Sequence, residues 1–280
     1  MMQSGQPSRT ARAAAAHRAA HQVLEQGRIF ADPLALRILG EDAAALAHEA
    51  EDAPHRQAMR LFIAARTRFA EDALAMAVAQ GVSQLVVLGA GLDTYAYRST
   101  LGERLRIFEV DHPATQAWKR GRLADAAIAL PPGLIFAPVD FERETLRDGL
   151  LAAGFDPLQR SFFTWLGVVP YLTEPAIFAT LGYIAGLRGG AQVVFDYANP
   201  PASLTPQARA MHEWRAARVA GLGEAWVSHF DTDLLGARLR AVGFSRIEDL
   251  GPAQIAARYF PERAGAAPDK GGHVLRAATF

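Results

Sequence analysis

Over the first 80 positions the apolar residues recur at helical spacing, and from Leu85 onward they gather into short runs. The first part predicts three helices. One covers residues 10 to 26. A second begins at "DPLALRIL", with Asp32 as its cap and Pro33 at its first position. The third and longest is "PHRQAMRLFIAARTRFAEDALAMAVAQG", stopped by Gly81. The runs that follow are "LVVLG", "LRIFEVD", "LIFAPVD", "SFFTWLGVVPYL" and "AQVVFDY". Short apolar runs separated by helical segments predict βαβ units and a mostly parallel sheet. Near the C-terminus "SRIEDLG" and "GHVLRAATF" read as two strands with no comparable helix between them, so a closing antiparallel hairpin is expected. With no repeat and no long linker, the expectation is one domain over residues 1–280. Residues 1–80 form a helical cap or lid and residues 81–280 a Rossmann-like core.

The long helix carries an anomaly. At about 100° per residue, Met59, Phe62, Phe69, Ala70, Ala73 and Ala77 share a face with Arg66. Gln57, Arg60, Arg68, Glu71 and Asp72 fall on the opposite, solvated face, where Arg68 and Asp72 can pair across one turn. A guanidinium turned inward needs an anion, because an unpaired buried charge is very costly. That anion is either a protein carboxylate or a ligand carboxylate held by two hydrogen bonds.

The run "QLVVLGAGLDTYAYR" breaks from a buried strand into a glycine turn, Gly89-Ala90-Gly91-Leu92-Asp93-Thr94. In a doubly wound sheet the ligand lies at the carboxyl ends of the strands, near the switch in strand order. The acids at those ends are Glu109 and Asp111, then Asp140, then Asp196. Glu109 lies 20 residues after Gly89, the spacing at which a carboxylate meets a ribose diol. NAD(P) and S-adenosylmethionine both carry that ribose. A dinucleotide loop has a third glycine and leaves room for pyrophosphate. Here the third position is Thr94, and Asp93 sets a negative charge where phosphate must approach. A sulfonium cofactor tolerates Asp93.

Composition narrows the classes further. Lys+Arg and Asp+Glu both number 29, so net charge gives no reason to expect nucleic acid or an anionic membrane surface. There is no cysteine, which removes disulfides, thiolate catalysis and cysteine metal sites. Eight histidines are scattered without metal-ligand spacing, so no metal is expected. No apolar run approaches the roughly 20 residues of a membrane span. The start "PSRTARAAAAHRAAHQVL" has three arginines and no acid, as transit peptides do, but helical patterning continues past it. It reads as an alanine-rich helix, and a cytoplasmic location is expected.

Five motifs then appear in order: "ARTRFAEDAL", "VVLGAGLDTYAYR", "FEVDHP", "PVDF" and "LGVVPYLTEPAI". Together they resemble the leucine carboxyl methyltransferase family, in particular its bacterial branch of polyketide-tailoring-type O-methyltransferases. "IFADPLALRILG" and "AVGFSRIEDLGPAQIAARYFPERA" extend the resemblance to roughly residues 10 to 280. It implies an α/β class I methyltransferase fold and S-adenosyl-L-methionine as cofactor. It also implies that Arg66 holds the cofactor carboxylate and that Gly89, Ala90 and Gly91 lie under the methionine and ribose. Asp111 takes the ribose in preference to Glu109, and Asp140 with Phe141 meets the adenine. The sequence departs from the family at Leu166, where leucine carboxyl methyltransferases carry a glutamate before the "GVVPYL" segment.

The implied reaction is O-methylation of a small-molecule acceptor, with a carboxylate expected because no His–acid pair stands out as a base. Tyr171, after the fourth strand, is the candidate to line the reacting centre. Tyr197 and Asn199 follow the fifth strand, and His212, Trp214 and Arg215 belong to a helix that can overhang the pocket. Two alternatives stay open: a module that binds the cofactor without catalysis, and an NAD(P)-dependent oxidoreductase.

Overall fold

The computed structural model describes residues 9–40, 45, 55–101, 104–140, 143–221 and 223–280. Its centre is a seven-stranded sheet: β1 (Gln84–Leu88), β2 (Arg106–Asp111), β3 (Leu134–Pro138), β4 (Ser161–Trp165), β5 (Ala191–Ala198), β6 (Arg246–Leu250) and β7 (Gly272–Ala278). The order is β3-β2-β1-β4-β5-β7-β6. The first five strands pair in parallel, and β7 runs antiparallel to both β5 and β6. Strand order therefore reverses between β1 and β4, and the crevice at their carboxyl ends is the switch point.

Both faces of the sheet are covered, which is why the strands are continuous apolar runs and not alternating ones. On one face Val86, Phe108, Phe163 and Phe195 pack under helices α7 (Glu174–Ala185) and α9 (Thr232–Ala241), through Ile177, Leu181, Leu235 and Leu239. On the other, Leu85, Val87, Ile107 and Phe162 meet Phe69 and Leu74 of α3 (His55–Ala79) and Ile255 of α10 (Pro252–Tyr259). Further helices of the core among the described residues are α4 (Tyr95–Arg98), α5 (Pro113–Asp125), α6 (Leu146–Ala152) and α8 (Pro206–Ala220). The strands β6 and β7 are antiparallel as expected, but α10 and a 3-10 turn at Pro261–Ala266 lie between them, so the connection is no tight hairpin.

The N-terminal helices are α1 (Arg9–Leu24) and α2 (Ala35–Leu39). Ala15 and Ala19 of α1 and Ile38 of α2 pack on Leu92 beyond the glycine turn and on Leu123 of α5. Two sequence expectations are corrected here. Asp32 does not cap α2 with its side chain, because the residue before that helix is Leu34. Asp32 is instead buried: it accepts hydrogen bonds from the Leu34 N–H and the Thr94 hydroxyl and lies 3.8 Å from both Arg18 and Arg98. Arg60, assigned to the solvated face of α3, is buried against the end of α1, where it donates twice to Glu25 at 2.6 and 2.8 Å.

Candidate functional site

The glycine turn is set by backbone geometry. Gly89 has φ +65°, and a Cβ there would stand 2.4 Å from a Val168 methyl beyond β4. Gly91 has φ +45°, and a Cβ there would stand 2.9 Å from Ala11 of α1. Left-handed φ combined with close approach leaves glycine as the residue that fits. Asp111, at the end of β2, braces the turn: one oxygen accepts the Gly91 N–H at 2.6 Å and the other the His112 N–H at 2.7 Å. Burial raises the Asp111 pKa, opposed by these two N–H donors. Asp93 accepts the Tyr95 N–H at 2.8 Å and so holds the turn that enters α4. Ala90, Gly91, Asp93 and Asp111 all face one cavity.

Arg66 finds a protein carboxylate. Its Nη1 lies 2.6 Å from Asp196 Oδ2 at the end of β5, and Asp196 Oδ1 accepts the Gly167 N–H at 2.5 Å. Both side chains are nearly buried, at 9% and 6% exposure. Of the two anions the sequence left open, the structure places the internal one against Arg66. The guanidinium also lines the cavity, and its buried Nε has no hydrogen-bond partner among the described residues.

Glu109 does not join this site. It is buried among core side chains, 2.8 Å from Lys119 Nζ, and it accepts the Tyr97 hydroxyl at 3.1 Å. Residues alternate across a strand, so Glu109 and Asp111 share a face, but Lys119 of α5 occupies Glu109. Asp140 lines the cavity, with Arg143 Nε 3.5 Å from it, and Phe141 lies outside the described residues. Tyr171 sits on a 3-10 turn at Val169–Tyr171 and faces the same space. Burial raises its pKa, against a hydrogen bond from Trp226 that lowers it. Leu166 lines the wall as well. Tyr197 is tied into a buried network with Asp249 at 2.5 Å and with His273, which Asn199 joins at 2.9 Å.

The cavity measures about 1340 Å³. That exceeds the roughly 300–1,000 Å³ of a pocket for one ligand. Its lining includes residues of α1, of α3 and of α8 with the segment after it, among them Met59, Phe62, Trp214 and Trp226. The sequence singled out His212 but not His17, Trp226 or His229, which join it at the cavity. His17 faces the cavity, its pKa lowered to about 4 by burial and by Arg60, Arg56, Arg66 and Arg215. Trp226 packs on His212, ring centroids 5.3 Å apart. His212 Nε2 lies 3.1 Å from His229 Nε2. The two histidines are 17 residues apart on a helix and the loop after it, a spacing with no periodic signature. Among the described residues no group of three or more His, Cys, Asp or Glu side chains could hold a metal. No helix among them is long and apolar enough to cross a membrane.

A parallel sheet with antiparallel β7 inserted between β5 and β6, and a glycine turn at the switch point, define the class I methyltransferase fold. The cavity fits S-adenosyl-L-methionine: glycines leave the turn open, carboxylates of Asp93, Asp111 and Asp140 suit a cationic, ribose-bearing ligand, and Arg66 has a donor to spare. The leucine carboxyl methyltransferase profile matches residues 11–185, and the chain belongs to that family. It is 34% identical over 201 residues to the YktD protein of Bacillus subtilis, named as an S-adenosyl-L-methionine-dependent methyltransferase, covering 71% of this chain and 66% of that protein. A Frankia alni protein of the same description is 33% identical over 216 residues, covering 74% and 72%. Among solved structures, magnesium protoporphyrin IX methyltransferase of Synechocystis with bound S-adenosylhomocysteine is similar at TM-score 0.46 and 12% identity, over 79% of this chain and 86% of that one.

Proposed function

We propose that the chain transfers the methyl group of S-adenosyl-L-methionine to an oxygen of a small-molecule acceptor, and that this oxygen belongs to a carboxylate. The observation that carries the reading is the charge of the cavity wall at His17, where burial and four arginines hold the imidazole pKa down at about 4. Burial, the largest of these causes, opposes any charge, whereas the guanidinium charges of Arg60, Arg56, Arg66 and Arg215 acting alongside it favour an anion on this wall. The cofactor supplies a methyl group on a cationic sulfur, which leaves as a neutral thioether.

The residues of this chain bind, orient and exclude water. Asp111 and the glycine turn hold the ribose side, and Arg66 reaches the methionine carboxylate beside its own Asp196. An acceptor carboxylate is ionised at pH 7 without help, so positioning in a dry, apolar space is the main task. Met59, Phe62 and Trp214 provide that space, with residues 1–80 as the cap over the 81–280 core. Tyr171, on the 3-10 turn that follows β4, is a wall of the reacting centre.

The test uses methyl-labelled S-adenosylmethionine and a small-molecule extract. Label that mild alkali releases as methanol supports a carboxyl methyl ester. Alkali-stable label moves the acceptor to another group, and S-adenosylhomocysteine binding without turnover leaves a non-catalytic module.

A further inference from the structure

The paired imidazoles on the cavity lining are not needed for carboxylate methylation. His212 belongs to α8 and His229 to the segment that follows it, and both face the cavity. Their Nε2 atoms are 3.1 Å apart, with the rings edge to face at 62°. Two bare nitrogens would repel at that distance, so one proton lies between them. Burial lowers the pKa of both, with Arg215 lowering His212 further against Glu213, and His212 lowering His229. A pair that is neutral and shares one Nε2 proton has defined tautomers. The ring that donates has a bare Nδ1, and the ring that accepts carries its hydrogen on Nδ1. The pair can therefore take a proton at one Nδ1, pass one across the Nε2 contact and release one at the other Nδ1.

A contact chain ties the pair to the carboxyl end of β4. Trp226 packs on His212, and the two residues after it bond the 3-10 turn that carries Tyr171: the Val227 N–H donates to the Pro170 carbonyl at 2.7 Å and the Ser228 hydroxyl to the Val169 carbonyl at 2.8 Å. We propose that His212 and His229 form a proton-accepting pair that lets this enzyme methylate hydroxyl acceptors of the phenol class in addition to carboxylates. The proposal rests on the methyl-transfer reading but not on the carboxylate one. In the step, the hydroxyl oxygen forms a bond to the methyl carbon while its proton moves to an imidazole nitrogen. The carbon–sulfur bond breaks with its electron pair on sulfur. The positive charge lost by the sulfonium reappears on the imidazole pair, which releases the proton to water.

The test is methyl transfer to three flat probes of increasing acidity, 2-naphthol, 1-nitro-2-naphthol and 2-naphthoate, by the wild-type chain, His212→Gln and His229→Gln. S-Adenosylhomocysteine binding is titrated on the same samples. The wild-type chain is expected to give alkali-stable product from 2-naphthol. Each variant should lose about 100-fold in kcat with 2-naphthol, within the usual range for a general base. The loss should shrink steadily as the probe becomes more acidic. A merely structural pair would lower all three rates alike. No alkali-stable product from either naphthol, or equal losses across the three probes, would overturn the proposal while leaving the methyltransferase reading in place. Absence of S-adenosylhomocysteine binding would remove both.

Discussion

At the scale of single residues, Arg66 and Arg68 form a controlled comparison two positions apart on α3. Arg68 pairs with Asp72 at 2.8 Å, and the two side chains are 50% and 35% exposed. Exposed helix pairs of this kind contribute about 0.3–0.5 kcal/mol. Removing one partner of a buried pair costs about 3–5 kcal/mol, because the other charge is left stranded. Arg66→Ala should therefore lower the urea midpoint far more than Arg68→Ala, and it should also weaken S-adenosylhomocysteine binding. Equal stabilities would show that water reaches Asp196. The inward turn of Arg66 was legible, since helical periodicity assigns a face to every residue. Its partner was not, because Asp196 is 130 residues away and the pairing exists only once β5 lies beside β4. The same limit explains Glu109: spacing from the glycine turn singled it out, but Lys119 claims it from a helix whose docking spacing does not encode.

Elements show a similar division. The five parallel strands were readable because burial on both faces makes each a bare apolar run closed by Gly or Asp. The eight-residue helix α10 was less legible. Isolated helices shorter than about 12–15 residues are marginal in water, so α10 depends on packing of Ile255 and Ala256, although Pro252 at its first position and the helical spacing of its apolar residues did mark it in the sequence. The placement of α1 leads to two further predictions. Gly91→Ala should destabilise the chain by about 1–3 kcal/mol, the usual range for strained backbone, because φ is +45° and Ala11 of α1 stands in the way. Chemical unfolding would measure it, and an unchanged midpoint would mean that α1 moves aside freely. His17 on the same helix gives a pH dependence. Its pKa falls from an ordinary 6.5 to about 4 on folding. Between those values the unfolded chain binds the proton and the folded chain does not, so stability falls as pH drops from 6.5 to 4. His212 and His229 shift in the same direction. Glu25, lowered to about 2 by its contacts with His21 and Arg60, adds a further loss between 4.5 and 2. The slope of unfolding free energy against pH from 6.5 to 4 should be shallower in His17→Gln, and an identical slope would place His17 in contact with water.

At the scale of the whole molecule, the cavity joins the sheet, the cap and α8 into one ligand-dependent unit. Residues from α1, α3, the β1 turn, β2, β5 and α8 all face it, so a ligand there contacts elements 200 residues apart in sequence. Anything that binds the folded chain alone raises its stability. At a hundredfold excess over the dissociation constant the gain is about 2.7 kcal/mol. S-Adenosylhomocysteine should produce that shift in thermal unfolding, whereas NAD and NADP should produce none. The reason is electrostatic and steric together. A pyrophosphate would approach a turn that already presents Asp93 and Asp111 and lacks a third glycine. The residue in that place, Thr94, is buried and engaged with Asp32 at 2.6 Å, so it cannot turn out to receive phosphate without breaking the contact that seats the cap. Methylthioadenosine separates the two ends of the site. It keeps the ribose and adenine but lacks the carboxylate that Arg66 would hold, so it should stabilise less than S-adenosylhomocysteine. Arg66→Ala should narrow that difference. A clear shift with NAD, or equal shifts from methylthioadenosine and S-adenosylhomocysteine in the wild-type chain, would show that Arg66 serves Asp196 alone and that the cavity was built for a different ligand end.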